Sequence, residues 1–266
     1  MTQRDYEYWG LMASTWDLFR GDTSNWEDKF FYRAMISQFG QPVLDVGCGT
    51  GRLVLDYMTA GLDVDGVDNS PDMLAICRDR AHNLGLNPNL FERRMEALNL
   101  PRKYRTIIVP SSSFQLVTDT DMAAQAMQCF YEHLEPGGGL VMPFMILWQA
   151  GDPQQTGWQL TAEKTRPENG ALVRRWSRAR YDGASQLEHT EDRYAITLNE
   201  SVIASESHQC SPATRWYTQS QAMHLYRAVG FTTIKLFSGF SDEPASEQDT
   251  TFSVSGVKPS GRPTGA

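Results

Sequence analysis

The residues best suited to chemistry lie in one string, VLDVGCGTGR, from Val43 to Arg52. It joins a β-branched run that reads as a strand to a stretch that reads as a helix. Glycines at 47, 49 and 51 let the backbone turn tightly and approach a ligand. Free amide groups at the start of the following helix favour an anion, a carboxylate or a phosphate. A second carboxylate, Asp68, closes the next strand about 20 residues further on, where an acid can take both hydroxyls of a ribose. Asp45 stands two residues before Gly47 and offers a negative charge to an ammonium group.

These features point to one ligand class. The dinucleotide fingerprint G-x-G-x-x-G puts its third glycine where this chain has Arg52, which disfavours a pyridine dinucleotide and an oxidoreductase. A nucleotide phosphate gains nothing from Asp45. An amino acid fused to adenosine carries one carboxylate, one ammonium and one ribose, and S-adenosylmethionine is that molecule. Cys48 is a small residue between two glycines rather than a reactive thiol. Ser111, Ser112, Ser113 and Phe114 follow the fourth strand at the carboxyl edge where open α/β sheets bind ligands, so one of them is expected to face the reacting group.

The elements that must position these residues follow from pattern. Strands are expected at Val43 to Val46, Val64 to Asp68, around Phe91, at Ile107 to Val109 and at Leu140 to Ile146. They alternate with helices at Arg52 to Ala60, Ser70 to Leu84 and Asp121 to Leu134. Ser70, Pro71 and Asp72 read as N-cap, first-turn proline and first-turn acid. The run Glu135 to Gly139 reads as the turn before the fifth strand. The fold class is α/β: a doubly wound, mostly parallel seven-stranded sheet with helices on both faces. Residues 1–40, rich in aromatics, are expected to form an N-terminal helical cap.

Residues 41–146 and 216–258 form the expected ligand-binding core, with residues 147–215 inserted as an antiparallel lid. Segments 172–181, 187–198 and 201–209 are its strands, divided by Asp182-Gly183 and Asn199-Glu200 turns. Thr218 and Gln221 make a capping box for a helix stopped by Gly230. Phe231 to Phe237 and Thr250 to Val257 close the sheet, and 259–266 is expected to be a disordered tail. Trp148, Trp158, Trp176, Tyr181, Tyr194, Trp216 and Tyr217 are read mainly as lid core. His189 and His208 read as surface or turn residues, His133 as structural and His224 as solvent-facing. None of them is taken as a base.

On these motifs the chain resembles the class I, Rossmann-like S-adenosylmethionine-dependent methyltransferases, over roughly Trp16 to Pro143. The family's glycine loop matches Asp45, Gly47, Cys48, Gly49, Thr50 and Gly51. The stretch DGVDNSPDML matches the acid-ended second strand, and HLEPGG the turn before the fifth. The resemblance implies that Asp68 takes the ribose hydroxyls and that Asn69 and Met73 lie near the adenine. It implies an adenine acceptor where this chain has Arg94, so the Met95 backbone and Glu96 take that place. Trp16 and Asp17 match an aromatic-Asp pair in the N-terminal helix, with Trp16 over the methionine end. The cofactor-binding set is completed by Ser111.

The implied activity is in-line methyl transfer to an N or O atom of a small-molecule acceptor, with proximity supplying much of the rate and no base assigned. A non-catalytic cofactor sensor is the alternative. The 266 residues carry a net charge of -8, with 12 basic against 19 acidic side chains in residues 1–150. Such a surface excludes nucleic acid and anionic membranes as partners; a homodimer stays open. The four cysteines form no metal-binding or disulfide pattern, no apolar run spans a bilayer, and the opening residues carry no secretory signal, so a cytoplasmic address is expected.

Overall fold

The computed structural model describes residues 6–261. Its main sheet has seven strands in the order β10-β11-β5-β4-β1-β2-β3. The strands are β1 (Val43–Val46), β2 (Val64–Asp68), β3 (Leu90–Glu92), β4 (Tyr104–Ile108), β5 (Leu134–Met145), β10 (Thr232–Ser238) and β11 (Thr251–Val257). The first five run parallel, and β11 is antiparallel to both β5 and β10. β1 and β2 are buried at every residue, as strands covered on both faces must be.

Helices α4 (Val54–Thr59), α5 (Pro71–Asn83), α6 (Thr120–His133) and α7 (Gln219–Ala228) supply the covering layers. The local stop and start signals act as the sequence predicts. The Ser70 hydroxyl accepts from the Met73 amide with Pro71 in the first turn, and both halves of the Thr218–Gln221 capping box are formed. α4 begins at Val54 rather than Arg52, because residues 51–53 are still turning out of the glycine loop.

Two further expectations change. The aromatic N-terminal segment divides: α1 (Gly10–Ser14) and α2 (Trp16–Arg20) lie over the sheet's carboxyl edge, but α3 (Glu27–Phe39) is a layer of the core. Its Phe31, Tyr32, Met35, Ile36 and Phe39 pack with Val43, Val54 and Val141. The run Glu135 to Gly139 is the first half of β5, not a turn. It is held there by its neighbour, with Gly137 donating to the Lys258 carbonyl at 2.7 Å and Lys258 donating to that of Gly138 at 2.9 Å. A Cβ at Gly139 would collide with the Phe39 ring, so α3 dictates that glycine.

The insertion is a separate four-stranded antiparallel sheet, β6-β7-β8-β9. β7 (Leu172–Asp182), β8 (Leu187–Leu198) and β9 (Ser201–Arg215) match the alternating segments, with β9 longer than expected. Asn199 and Glu200 at the tip both take positive φ, 49° and 64°, as a two-residue hairpin turn requires. β6 (Gln159–Thr165) is an edge strand whose residues are nearly all exposed, and so lacks the apolar alternation that reveals a strand.

Val173 and Ile196 pack with Leu11, Leu18 and Phe19 of α1 and α2, fixing this sheet above the cleft. Gln115, fully buried, ties the junction: its amide nitrogen donates to the Met145 and Arg215 carbonyls, each at 3.0 Å. The expected disordered tail lies outside the described residues from 262 onward. Among the described residues no helix is long and apolar enough to cross a membrane.

Candidate active site

A cleft of about 1020 Å³, partly open to solvent, lies at the carboxyl ends of β1, β2 and β4 under α2. Every residue assigned to the cofactor from sequence lines it: Trp16, Asp45, Gly47, Cys48, Gly49, Asp68, Asn69, Met73, Met95, Glu96 and Ser111. So do Tyr8, Arg20, Thr50, Arg52, Arg94 and Ser113.

The glycine loop is shaped by close approach. Gly47 has φ +72°, and a Cβ there would sit 2.7 Å from the Ser113 hydroxyl. Gly51 has φ +88°, and its Cβ would meet the Cys77 sulfur at 2.6 Å. Four amides of the loop are engaged within the protein. Gly47 and Cys48 donate to the Val67 carbonyl at 2.8 and 3.0 Å, Gly51 to that of Cys48 at 3.0 Å, and Gly49 to Asp68 Oδ2 at 2.8 Å. These four bonds rigidify the loop.

Asp68 also accepts the Ser70 amide on Oδ1 at 2.8 Å. Burial raises its pKa, while the amides of Ser70, Gly49 and Asn69 pull it back. A carboxylate fixed at both oxygens retains lone pairs for further donors. Asp45 is 1% exposed, and its Oδ1 has no hydrogen-bond partner. Burial pushes its pKa up to about 7, against the opposing Arg52 charge. An orphaned buried carboxylate oxygen is costly, and an ammonium donor is the group that would satisfy it. The cleft therefore fits a ligand with a ribose at one end and an amino acid at the other.

The rim is cross-tied. Asp17 on α2 accepts from the Thr50 hydroxyl at 2.7 Å and from Arg80 at 3.0 Å, which clamps the N-terminal helices to the glycine loop. Tyr8 and Trp16 meet edge to face at 4.8 Å. Ser111 and Ser112 both have positive φ, 56° and 57°, a strained bend for residues with a Cβ. Ser111 and Ser113 reach the cleft, whereas Phe114 is buried in the core. Glu96 is paired with Arg94 rather than standing open as an acceptor. Burial raises the Cys48 thiol well above its ordinary value, so it is an inert packing residue.

Of the histidines, His133 accepts the Leu100 amide at 3.3 Å in a structural role. His208, expected on a surface or turn, is buried: its ring lies tilted against that of Trp9 at 4.1 Å and pairs with Glu206 at 3.1 Å. Tyr194, Trp216 and Tyr217 are buried as expected, but Trp158 lies among the arginines of sheet B, 4.1 Å from Arg193 and 5.0 Å from Arg178. Sequence reasoning missed Tyr8 and Arg20, which no motif marks, and used Arg52 only to argue against a dinucleotide.

Residues 43–138 match a methyltransferase-domain family model. The dTDP-3-amino-3,4,6-trideoxy-α-D-glucopyranose N,N-dimethyltransferase of Streptomyces venezuelae is 29% identical over 59% of this chain and 68% of its own length. A ubiquinone/menaquinone biosynthesis C-methyltransferase of Pseudoalteromonas translucida is 33% identical, over 39% of this chain and 42% of its own. Among solved structures, an S-adenosylmethionine-dependent methyltransferase from Clostridium acetobutylicum superposes with a TM-score of 0.74 at 17% identity, covering 93% of this chain and 97% of that one. A sugar N-methyltransferase from Streptoalloteichus gives 0.69 at 20% identity, covering 97% and 98%. Residues 43–138 thus form a methyltransferase domain, and the chain as a whole has the fold of the class I, Rossmann-like, S-adenosylmethionine-dependent methyltransferases.

Proposed function

We propose that the acceptor is the amine nitrogen of a small sugar-like molecule, and that the cleft residues hold the cofactor in the order read from sequence. Asp68 takes the ribose, Asp45 the ammonium, and Asn69, Met73, Met95 and Glu96 border the adenine. The sulfonium supplies an electrophilic methyl, so the protein has to align an acceptor lone pair with it and exclude water. Tyr8, Trp16 and Ser111 border the space where that alignment occurs.

The observation that favours nitrogen over oxygen is the acidity of the second sheet's face that meets the N-terminal helices. Glu188, Asp192 and Tyr194 alternate along β8 on the face that meets the N-terminal helices, where Tyr194 packs on Phe19 at 6.5 Å. Glu7 lies within electrostatic reach of Glu188 and Asp192, and burial pushes its pKa up to about 7. Carboxylates attract an ammonium. The Streptomyces relative named for an amino-sugar substrate supports the same class.

Labelled S-adenosylmethionine with paired nucleotide-linked sugars, identical except for amine or hydroxyl, tests this. Transfer confined to the amine members is expected; transfer only to hydroxyls would refute it. Asp68→Ala should weaken cofactor binding by about 1.5–3 kcal/mol, the range for hydrogen bonds to a charged group. We place the reaction in the cytoplasm, apart from nucleic acid and membranes. The acidic surface and the four free cysteines support that setting.

A further inference from the structure

A second cavity of about 990 Å³ lies beside the cofactor cleft, where β4 and β5 end and β11 begins. The two cavities have Arg20 and Ser111 in common. Arg20 donates to the Ser111 hydroxyl at 3.3 Å, so one long hydrogen bond forms the partition between them. Ser112 lines the second cavity and shares with Ser111 a backbone of positive φ. Such strain persists where the surrounding packing fixes it, and it clusters at ligand sites.

The cavity's walls are apolar and stand on fixed backbone. Trp26 and Met145 are 37% and 38% exposed, and Pro143 and Phe240 complete the apolar lining. The fully buried Gln115 holds Met145 by both backbone groups: the Met145 amide donates to Oε1 at 2.7 Å, and its carbonyl accepts from Nε2 at 3.0 Å. Phe240 packs on Phe31 and Tyr32 of α3 at 6.1 and 6.0 Å. Trp26 lies against the guanidinium groups of Arg20 and Arg52 at 5.5 and 5.1 Å. Among the polar side chains of the lining, Asn25 and Glu27 are exposed and Asp28 is paired with Arg52. A ligand rich in hydroxyls would leave some of them without partners there. An apolar ring would instead remove apolar wall from water.

We propose that this cavity holds the body of the methyl acceptor, and that Trp26, Met145 and Phe240 select acceptors whose ring presents an apolar, sparsely hydroxylated face. The inference rests on the reading of the protein as an amine methyltransferase and narrows its acceptor class. The amine end of such a ring lies at the Arg20–Ser111 partition, next to the cofactor cleft, and the ring lies against the three apolar side chains. Specificity then comes from the start of α3, the end of β5 and the β10–β11 connection, none of which belongs to the glycine loop.

Methionine methyl groups report on both cavities, since Met145 lines the second and Met73 and Met95 line the cleft. The full chain, isotope-labelled at those methyls and saturated with S-adenosylhomocysteine, is titrated by NMR with cyclohexylamine and with glucosamine, two six-membered-ring primary amines that differ in hydroxylation. Cyclohexylamine should shift the Met145 signal saturably and bind on the order of 10–100-fold more tightly than glucosamine. Phe240→Ala should weaken cyclohexylamine binding by about tenfold. Met145→Gln, a change at an exposed side chain, guards against a folding defect and should lose most of the preference by calorimetry. Both variants should keep S-adenosylhomocysteine affinity within about twofold. A silent Met145 signal, shifts at Met73 and Met95 instead, equal affinity for the two amines, or variants that keep the wild-type preference would overturn the proposal. Saturable binding at Met145 in a protein that transfers no methyl to any amine would count for the cavity and against amine methylation.

Discussion

The two sheets of this protein are stabilised in opposite ways. The seven-stranded sheet buries whole strands, and aromatic side chains fill the space beside it: Phe144 is fully buried, stacked on Phe252 at 5.6 Å and within 6.0 Å of Phe114. The four-stranded sheet has a small apolar cluster, Ala171, Val173 and Ile196. Elsewhere its faces carry cross-strand ion pairs such as Arg174–Glu163 at 2.6 Å and Arg178–Glu191 at 2.7 Å. A dry, close-packed sheet fixes the cofactor cleft to within small displacements. A wet sheet with charged cross-strand pairs tolerates side-chain replacement on its faces. We propose that this division leaves the chemistry to the first sheet and the choice of acceptor to the second.

The contrast can be broken in order of effect. Phe144→Ala should cost about 3–5 kcal/mol in urea unfolding, the range for a large aromatic lost from a packed core. Ile196→Val in the second sheet should cost about 0.5–1.5 kcal/mol. If the two losses were equal, the sheets would not differ as described.

Asp45→Asn sharpens the comparison because it separates stability from binding at one buried site. Burial lifts the Asp45 carboxyl from 3.8 to about 7, so the folded chain holds that proton more tightly than the unfolded one. This group's contribution to stability is therefore fullest below about pH 4 and declines as pH rises to about 7. The variant should raise stability at pH 8 by roughly 1–3 kcal/mol, the cost of an unsatisfied buried group, and leave it nearly unchanged at pH 4. Cofactor affinity of the wild type should fall as pH drops below about 7, when the carboxylate that meets the ammonium is protonated. Melting curves at the two pH values and calorimetry across that range check both signs.

The smallest effect is expected at the surface. Arg178→Ala breaks a pair whose side chains are 44% and 36% exposed, and should change stability by at most about 1 kcal/mol, less in high salt.

Features that depend on near neighbours along the chain were legible. Ser70 with Pro71, Thr218 with Gln221, the glycine loop and Asp68 each satisfy backbone groups a few residues away or repeat a compact motif, so their spacing carries the information. Features decided across long separations were not. The glycines at 137–139 look like a turn until Lys258 and Phe39 are seen beside them. α3 looks like more of the cap until its apolar face meets Val43 and Val141. His208 is buried because Trp9 reaches it from some 200 residues away.

Local spacing specifies the glycine loop and the acid that ends β2, because a tight turn and a carboxylate at a strand end are requirements that few residue types meet. Where positive charge gathers beside the loop depends on packing between distant elements. Hydrogen bonds within the loop and to β2 occupy the amides of residues 47–49 and 51, and α2 and α3 bring Arg20, Trp26 and Asp28 to Arg52. Charge acts through space, and chain spacing does not report which cations share a buried volume.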